Sequence, residues 1–205
     1  RLYQATRVIR REVQALWKDG EPLEASRIEK TLGLNAQQVT VDIDVFTRLA
    51  RSVASSSNDE DIVHLAKQAE ELYQGDLYLP EDECFRFADP IRTALRDQYI
   101  ETMVAASSAA LRMSHPTHAV HFAELAYLVD DMREDTLMAL IQALRKCGRA
   151  QDAQQYYDLY VEKYVVKRRK MPSKQLRMIA GAEKGKESIE TSGGEITKMG
   201  FYGAM

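Results

Sequence analysis

A spacing of 34 residues in the second half of the chain limits the fold more than any other feature. Ser114 and Gly148 mark two turns that far apart. Met103 and Leu137, Ser107 and Ile141, and Ala110 and Leu144 precede those turns by equal steps. Ala119 and Ala153 follow, and then Ala123 and Tyr157. Apolar residues recur at helical spacing on both sides of each turn, so the repeating unit reads as helix, turn, helix. A unit of this size cannot bury its apolar face alone and must stack on a neighbour. Ala119 and Ala153 are small enough to let the two helices of a unit approach closely. Leu137, Leu144 and Tyr157 are large enough to fill the space between units.

Thirty-four residues of helix, turn and helix is the tetratricopeptide period, and the helical pattern extends well beyond the two matched units. It runs from Asp44 to Gly181. "DVFTRLARSVASSS" aligns Val45, Phe46, Leu49 and Val53 on one side. "NDEDIVHLAKQAEELY" offers Asn58 and Asp61 as caps and turns Ile62, Leu65, Ala66, Ala69, Leu72 and Tyr73 inward. This earlier pair, 44–74, is put out of strict register by the connection "QGDLYLPEDECFRFADP", which is broken by Gly75 and Pro80. Long connections of that kind are sites of function or variation. A long helix follows in "IRTALRDQYIETMVAASSAALRM". Pro116 is placed for a first helical turn, and "PSKQLRMIAG" forms a last short helix. The expected fold is mainly α: stacked helical hairpins after a short helix and a β-hairpin.

That N-terminal part has its own character. In "RLYQATRVIRREVQAL", Leu2, Ala5, Ile9, Val13 and Leu16 gather on one side of a helix. Tyr3, Gln4, Arg7, Arg10, Arg11, Gln14 and Lys18 gather on the other, with no acid among them. Asp19-Gly20 and Pro22 mark a turn. Val39, Val41, Ile43 and Val45 then alternate with polar residues as a strand does, which predicts a hairpin pairing 26–30 with 37–42. Three parts result: 1–41, the helical repeats over 42–181, and a tail over 182–205 without sustained periodicity.

The net charge of −3 conceals a division. Residues 1–40 hold seven basic and five acidic residues, residues 41–162 eleven and twenty-two, and residues 163–180 seven and none. The acidic middle argues against nucleic acid along the whole length and leaves only the ends for phosphate contact. No run of eighteen apolar residues provides a membrane span, and no signal-peptide pattern is present. Cys84 and Cys147 lack a CxxC partner, which suits a reduced, cytoplasmic compartment. There is no Gly-rich phosphate loop, GxSxG or HExxH, so no enzyme and no cofactor is expected. The acids Glu81, Asp82 and Glu83 read as a solvated loop. His115, His118 and His121 are spaced by three, but Pro116 puts His115 in a turn, so a surface role is expected rather than a metal site. Tyr156, Tyr157, Tyr160 and Tyr164 read as core between repeats with one exposed face. The basic run "KYVVKRRKMPSK" complements a helix dipole; DNA, an acidic partner surface or RNA polymerase are alternative contacts for it.

Several of these stretches together resemble a known family. "AEELYQGDLYLP" is similar to the segment that closes the first helical pair in bacterial transcriptional activator domains, with the pattern LY-x-GD-x-L. The long helix after it, and "REDTLMALIQALRKCGRAQDAQQYYDLY", resemble the later repeats of that family over roughly 42–181. In antibiotic-regulatory-protein-type regulators such domains directly follow a winged helix-turn-helix of the response-regulator kind. Ile9-Arg10-Arg11 is similar to the end of its recognition helix, 26–42 to its wing, and "VTVDIDVF" to the junction. Val8 stands where that family usually has an arginine. The sheet and two helices that precede the recognition helix are not in this sequence, so it is expected to be a fragment. The resemblance implies a transcriptional activator that binds double-stranded DNA. Gln4, Arg7, Arg10, Arg11 and Gln14 would meet the major groove and its flanking phosphates, with Arg27 and Lys30 near the wing. Arginine can read guanine, glutamine can read adenine, and phosphate contacts set position. The repeats would serve self-association as a homodimer, or contact with RNA polymerase or another protein. A peptide-binding repeat scaffold with no DNA role is the alternative.

Overall fold

The protein is described here by a computed structural model that covers residues 11–13, 15, 22–26, 31–35, 37, 39–76, 88–168 and 171–182. Residues 11–13 and 15 are helical, in agreement with the expected opening helix. Strands β1 (Leu23–Ser26) and β2 (Thr31–Leu34) form an antiparallel hairpin. Its register pairs Leu23 with Leu34 and Ser26 with Thr31.

The hairpin is real, but it lies upstream of the pairing expected from the alternating valines. Asn35 explains the shift. Its backbone N–H closes on the Pro22 carbonyl at 2.8 Å, and its side-chain Oδ1 accepts from the Gln37 N–H at 3.0 Å. An Asn that binds the backbone two residues on makes a turn of its own, so the strand ends before Val39. The alternating run then enters helix α1 (Asp42–Ser55). The Asp42 carboxylate accepts from the Ile43 N–H at 2.8 Å. Asp42 and Asp44 place negative charge in the first turn, where the helix dipole favours it. The helical spacing of Phe46, Ala50 and Val53, all buried, overrides the period-2 pattern.

Six more helices follow among the described residues: α2 (Asp59–Leu72), α3 (Asp89–Arg112), α4 (Pro116–Val129), α5 (Glu134–Lys146), α6 (Ala150–Arg168) and α7 (Lys174–Ile179). Asn58 caps α2 as expected, its Oδ1 accepting from the Glu60 N–H at 2.9 Å, a contact worth about 1 kcal/mol. Pro116 occupies the first turn of α4. The helices pair as α1 with α2, α3 with α4, and α5 with α6. Helices α1, α3, α5 and α7 pack one on the next to form one layer. In the other layer, α2 lies against α1 and α3, and α4 against α3 and α5.

The turns show the repeat at atomic detail. At the end of α3, the His115 N–H bonds to the Ala110 carbonyl and the Ser114 N–H to the Leu111 carbonyl. Thirty-four residues on, the Arg149 N–H bonds to Leu144 and the Gly148 N–H to Arg145. Both are the paired closure that follows a residue of left-handed backbone, and Ser114 (φ 61°) and Gly148 (φ 80°) supply that residue.

Two apolar clusters meet in the α3–α4 pair. One joins Phe46, Val53 and Ile62 to Tyr99, Ile100, Met103 and Phe122; the other joins Leu137, Leu140, Ile141 and Leu144 to Tyr157, Tyr160 and Leu176. Ala106, Ala109, Ala110, Ala119, Ala123 and Ala126 are all essentially inaccessible, so α3 and α4 approach closely. Ser107 exploits that closeness by donating its hydroxyl to the Ala119 carbonyl at 2.9 Å.

Candidate protein-interaction surface

Of the residues expected to meet DNA, Arg11 alone lies among the described residues. It is exposed, and its guanidinium donates to the Glu12 carboxylate at 2.7 Å. Gln4, Arg7, Arg10, Gln14, Arg27 and Lys30 lie outside the described residues, as do Glu81, Asp82, Glu83 and Cys84. Cys147 is a half-buried free thiol.

The stretch Leu72-Tyr73-Gln74-Gly75-Asp76 builds a compact polar joint where α2 meets α3. Gly75 has φ 126°, a conformation that side-chain-bearing residues rarely adopt, and this bends the chain after α2. Asp76 then accepts from both Arg96 and the Tyr73 hydroxyl. The Tyr73 ring stacks on Tyr99 with centroids 4.0 Å apart. Burial raises the Tyr73 hydroxyl pKa, with Asp76 adding to the shift. Burial also pushes Tyr99 up to about 12, helped by the negative charge of Glu70. Both phenols stay neutral at pH 7. Beside this joint lies a cleft of about 340 Å³ whose walls include Ile43, Phe46, Leu72 and Leu95.

Ion pairs tie elements that are distant in sequence. Arg112 at the end of α3 meets Asp59 at the start of α2, with Nε–Oδ1 at 3.0 Å and Nη2–Oδ1 at 2.5 Å. Arg133 joins Asp97 of α3 to Asp135 of α5 at 2.8 and 2.7 Å. Burial works to raise the Asp135 carboxyl pKa, but the Arg133 guanidinium and the Thr136 N–H overcome it and hold the carboxyl below its usual range. At α7 both ends are held by α5. Glu134 accepts from the Ser173 N–H at 3.0 Å, and Arg145 donates to the Ile179 and Ala180 carbonyls at 2.6 Å each. Helix α7 thus runs parallel to α5, as the first helix of a further unit would. None of these arginines stood out in the sequence, where they look like ordinary surface charge.

The histidines disperse. His115 and His118 keep ring centroids 5.8 Å apart, while His121 turns away to Glu70, with Nε2–Oε1 at 2.9 Å. Among the described residues no three His, Cys, Asp or Glu side chains converge on a common point. The tyrosines behave as expected of core. Tyr157 and Tyr160 are buried, and Tyr156 meets Tyr127 edge-on at 5.2 Å. At the start of the basic run, Lys163 of α6 pairs with Asp131 in the α4–α5 turn; Arg169 and Lys170 lie outside the described residues.

The α1–α3–α5 layer carries a second cleft, of about 290 Å³, between α1 and α3. Ala50, Val53 and Ala54 from α1 and Gln98, Glu101, Thr102 and Ala105 from α3 line it, with Arg51 beside them. Its alanines keep the floor shallow, and charges of opposite sign stand on the two helices.

Stacked helical pairs, the first of them closed by the LY-x-GD stretch, are what the sequence resemblance implied, and the family comparison agrees. The model of the bacterial transcriptional activator domain matches residues 41–167. The chain belongs to that family. In the activator domain so defined, α1 through nearly all of α6 fall inside the match, and α7 lies beyond it. Comparisons with curated proteins and with solved structures each find no match. Among the described residues, no helix is long and apolar enough to cross a membrane.

Proposed function

We propose that the chain is part of a DNA-binding transcriptional activator that works by binding rather than by bond chemistry. The opening helix and hairpin would belong to a winged-helix DNA reader, and the helical repeats would supply self-association or contact with the transcription machinery. One observation carries this reading: an activator-domain match that begins at residue 41, directly after a helix-then-hairpin order. That order and spacing are what the end of a winged helix fused to such a domain requires. In this role Gln4, Arg7, Arg10, Arg11 and Gln14 face the major groove, and Arg27 and Lys30 flank it. The Arg11–Glu12 pair is exposed on both sides, and a pair in water is weak enough for phosphate to displace Glu12.

The test is duplex DNA binding as a function of salt, made on the chain extended upstream through the sheet and two helices that the resemblance implies. Log affinity should fall with log salt by about 0.9 for each phosphate contacted. Arg10→Ala combined with Arg11→Ala should flatten that slope. A chain that binds no duplex at low salt would make the opening helix merely basic and remove the DNA role.

A further inference from the structure

Helix α7 opens a third repeat unit, and no second helix accompanies it among the described residues. Its closing turn copies the two before it. The Gly181 N–H bonds to the Met178 carbonyl at 3.0 Å, as Ser114 does to Leu111 and Gly148 to Arg145. Gly181 also has left-handed backbone, at φ 73°. Five residues before the three turns stand Ala109, Ala143 and Leu176. All three are wholly inaccessible, so α7 keeps the helical phase of α3 and α5.

A second helix in this unit would begin just after Gly181, as α4 begins at Pro116 and α6 at Ala150. Five, nine and twelve residues beyond their turns, those helices bury Ala119, Ala123 and Ala126, and Ala153, Tyr157 and Tyr160. The same steps from Gly181 reach Lys186, Glu190 and Gly193, which supply no apolar helix face. The side of α7 that a second helix would cover is equally distinct. Seven and four residues before the turn, α3 buries Ser107 and Ala110, and α5 buries Ile141 and Leu144. In α7 these places hold Lys174, which is exposed, and Arg177, which is half-buried. Arg177 Nε is inaccessible to water and has no acceptor among the described residues. The Arg177 charge reaches the Tyr157 hydroxyl, as do those of Asp158 and Glu134. Both acids are engaged elsewhere, Asp158 with the Gln154 amide at 2.9 Å and Glu134 with the Ser173 N–H at 3.0 Å. Buried donors are nearly always paired, and a helix that only closed the stack toward water would keep its guanidinium solvated. Met171 and Met178 are exposed beside these cations, and residues 163–180 carry seven basic residues and no acid.

We infer that the third unit is completed by an acidic amphipathic helix of a partner protein, laid along α7 as α4 lies along α3. Its carboxylates accept from Arg177 Nε and pair with Lys174, and its apolar side chains rest on Met171 and Met178, whose flexible thioethers adapt to the contact. The same surface of a second copy would set cation against cation. The inference deepens the proposed contact of the repeats with another protein and rests on that reading. It stands apart from the DNA role, since its failure would leave salt-dependent duplex binding by the opening helix untouched.

The probe is acetyl-Ser-Glu-Ala-Leu-Glu-Glu-Ala-Leu-Ala-Glu-Ala-Leu-Glu-Glu-Ala-Leu-amide, titrated into the isotope-labelled full chain. The Arg177 Nε–H resonance and the backbone amides of α7 report binding, and both should move to saturation. A version with every glutamate replaced by glutamine should bind roughly tenfold more weakly, the loss expected for one charge-assisted bond. Lys174→Glu, at an exposed site, should weaken the acidic probe similarly and leave the glutamine version unaffected. Arg177→Gln should weaken the acidic probe at least as much. Should Arg177→Gln fail to fold, the glutamine probe makes the same comparison on the unaltered chain. Unmoved α7 resonances at millimolar probe, or equal binding of the glutamine version, would overturn the inference. So would movement of the same resonances on concentrating the chain alone, which gives the face to a second copy. A duplex DNA that moves them at lower concentration than the probe would give the face to nucleic acid and overturn it as well.

Discussion

Helices α3 and α4 and helices α5 and α6 share one blueprint and fill it differently. Their turns close with the same two backbone bonds, at Ser114 and at Gly148. Between the helices, the first pair has Ala110, Ala119 and Ala123 where the second has Leu144, Ala153 and Tyr157. All six side chains are buried. The first pair therefore closes tightly, with room for the Ser107–Ala119 bond, whereas the second carries bulk at two of these three positions and packs Ile141 at the position of Ser107. A repeat of this kind fixes the turn and the helix phase while leaving the separation of the helices to side-chain volume.

The largest expected effects probe that volume directly. Leu144→Ala removes a side chain that is wholly inaccessible and should destabilise the fold by about 2–5 kcal/mol through lost burial and the cavity left behind. The reciprocal change, Ala110→Leu, forces bulk into the tight pair and should cost about 1–3 kcal/mol. Urea unfolding of each variant measures both. If Ala110→Leu is neutral, the α3–α4 pair is not closed as tightly as its alanines indicate, and the contrast fails.

A smaller and more local effect separates the ends of the two first helices. Leu111 and Arg145 are also 34 residues apart. Leu111 packs against the second apolar cluster, whereas Arg145 reaches over to the last two carbonyls of α7 and its cap. Arg145→Leu makes the second pair like the first and removes the grip on α7. Hydrogen exchange of the amides over 176–180 should speed up at least tenfold, because charge-assisted bonds contribute about 1.5–3 kcal/mol. Exchange in α3 and α4 should stay the same. Faster exchange throughout would mean that Arg145 supports the whole stack rather than its end.

Much of this architecture was readable because it is local. Turns at Ser114 and Gly148, the Asn58 cap and the first-turn Pro116 each depend on a few adjacent residues, and each stands where periodicity put it. The hairpin was displaced because two short-range side-chain bonds, Asn35 to Gln37 and Asp42 to Ile43, outweigh the alternation of four β-branched residues. The inter-helix ion pairs were invisible for a different reason. Arg112 and Asp59 are 53 residues apart in sequence, and Arg133 and Asp97 are 36 apart; nothing in the local pattern distinguishes them from solvated charges. The α1–α3 cleft was hidden most completely, since its alanines read as ordinary helix formers and Gln98 as a surface residue.

The finest difference between the two pairs is the turn residue itself. Ser114 holds φ 61° with a Cβ that the left-handed conformation disfavours, by roughly 1–2 kcal/mol. Gly148 avoids that strain at φ 80°, and a Cβ there would meet no atom within 4 Å, so the conformation and not the space favours glycine. Glycine carries a larger unfolded-state entropy, which offsets about 0.5–1 kcal/mol of the gain. Ser114→Gly should therefore stabilise the protein by about 0.5–1 kcal/mol, a rise in Tm of about 1–4 °C for a chain of this size. Gly148→Ser should lower it by a similar amount. Thermal unfolding of the two variants tests the equivalence of the turns: opposite shifts of like size mean that both closures demand the same left-handed backbone, and a neutral Ser114→Gly would mean that the α3–α4 turn relaxes in a way its counterpart does not.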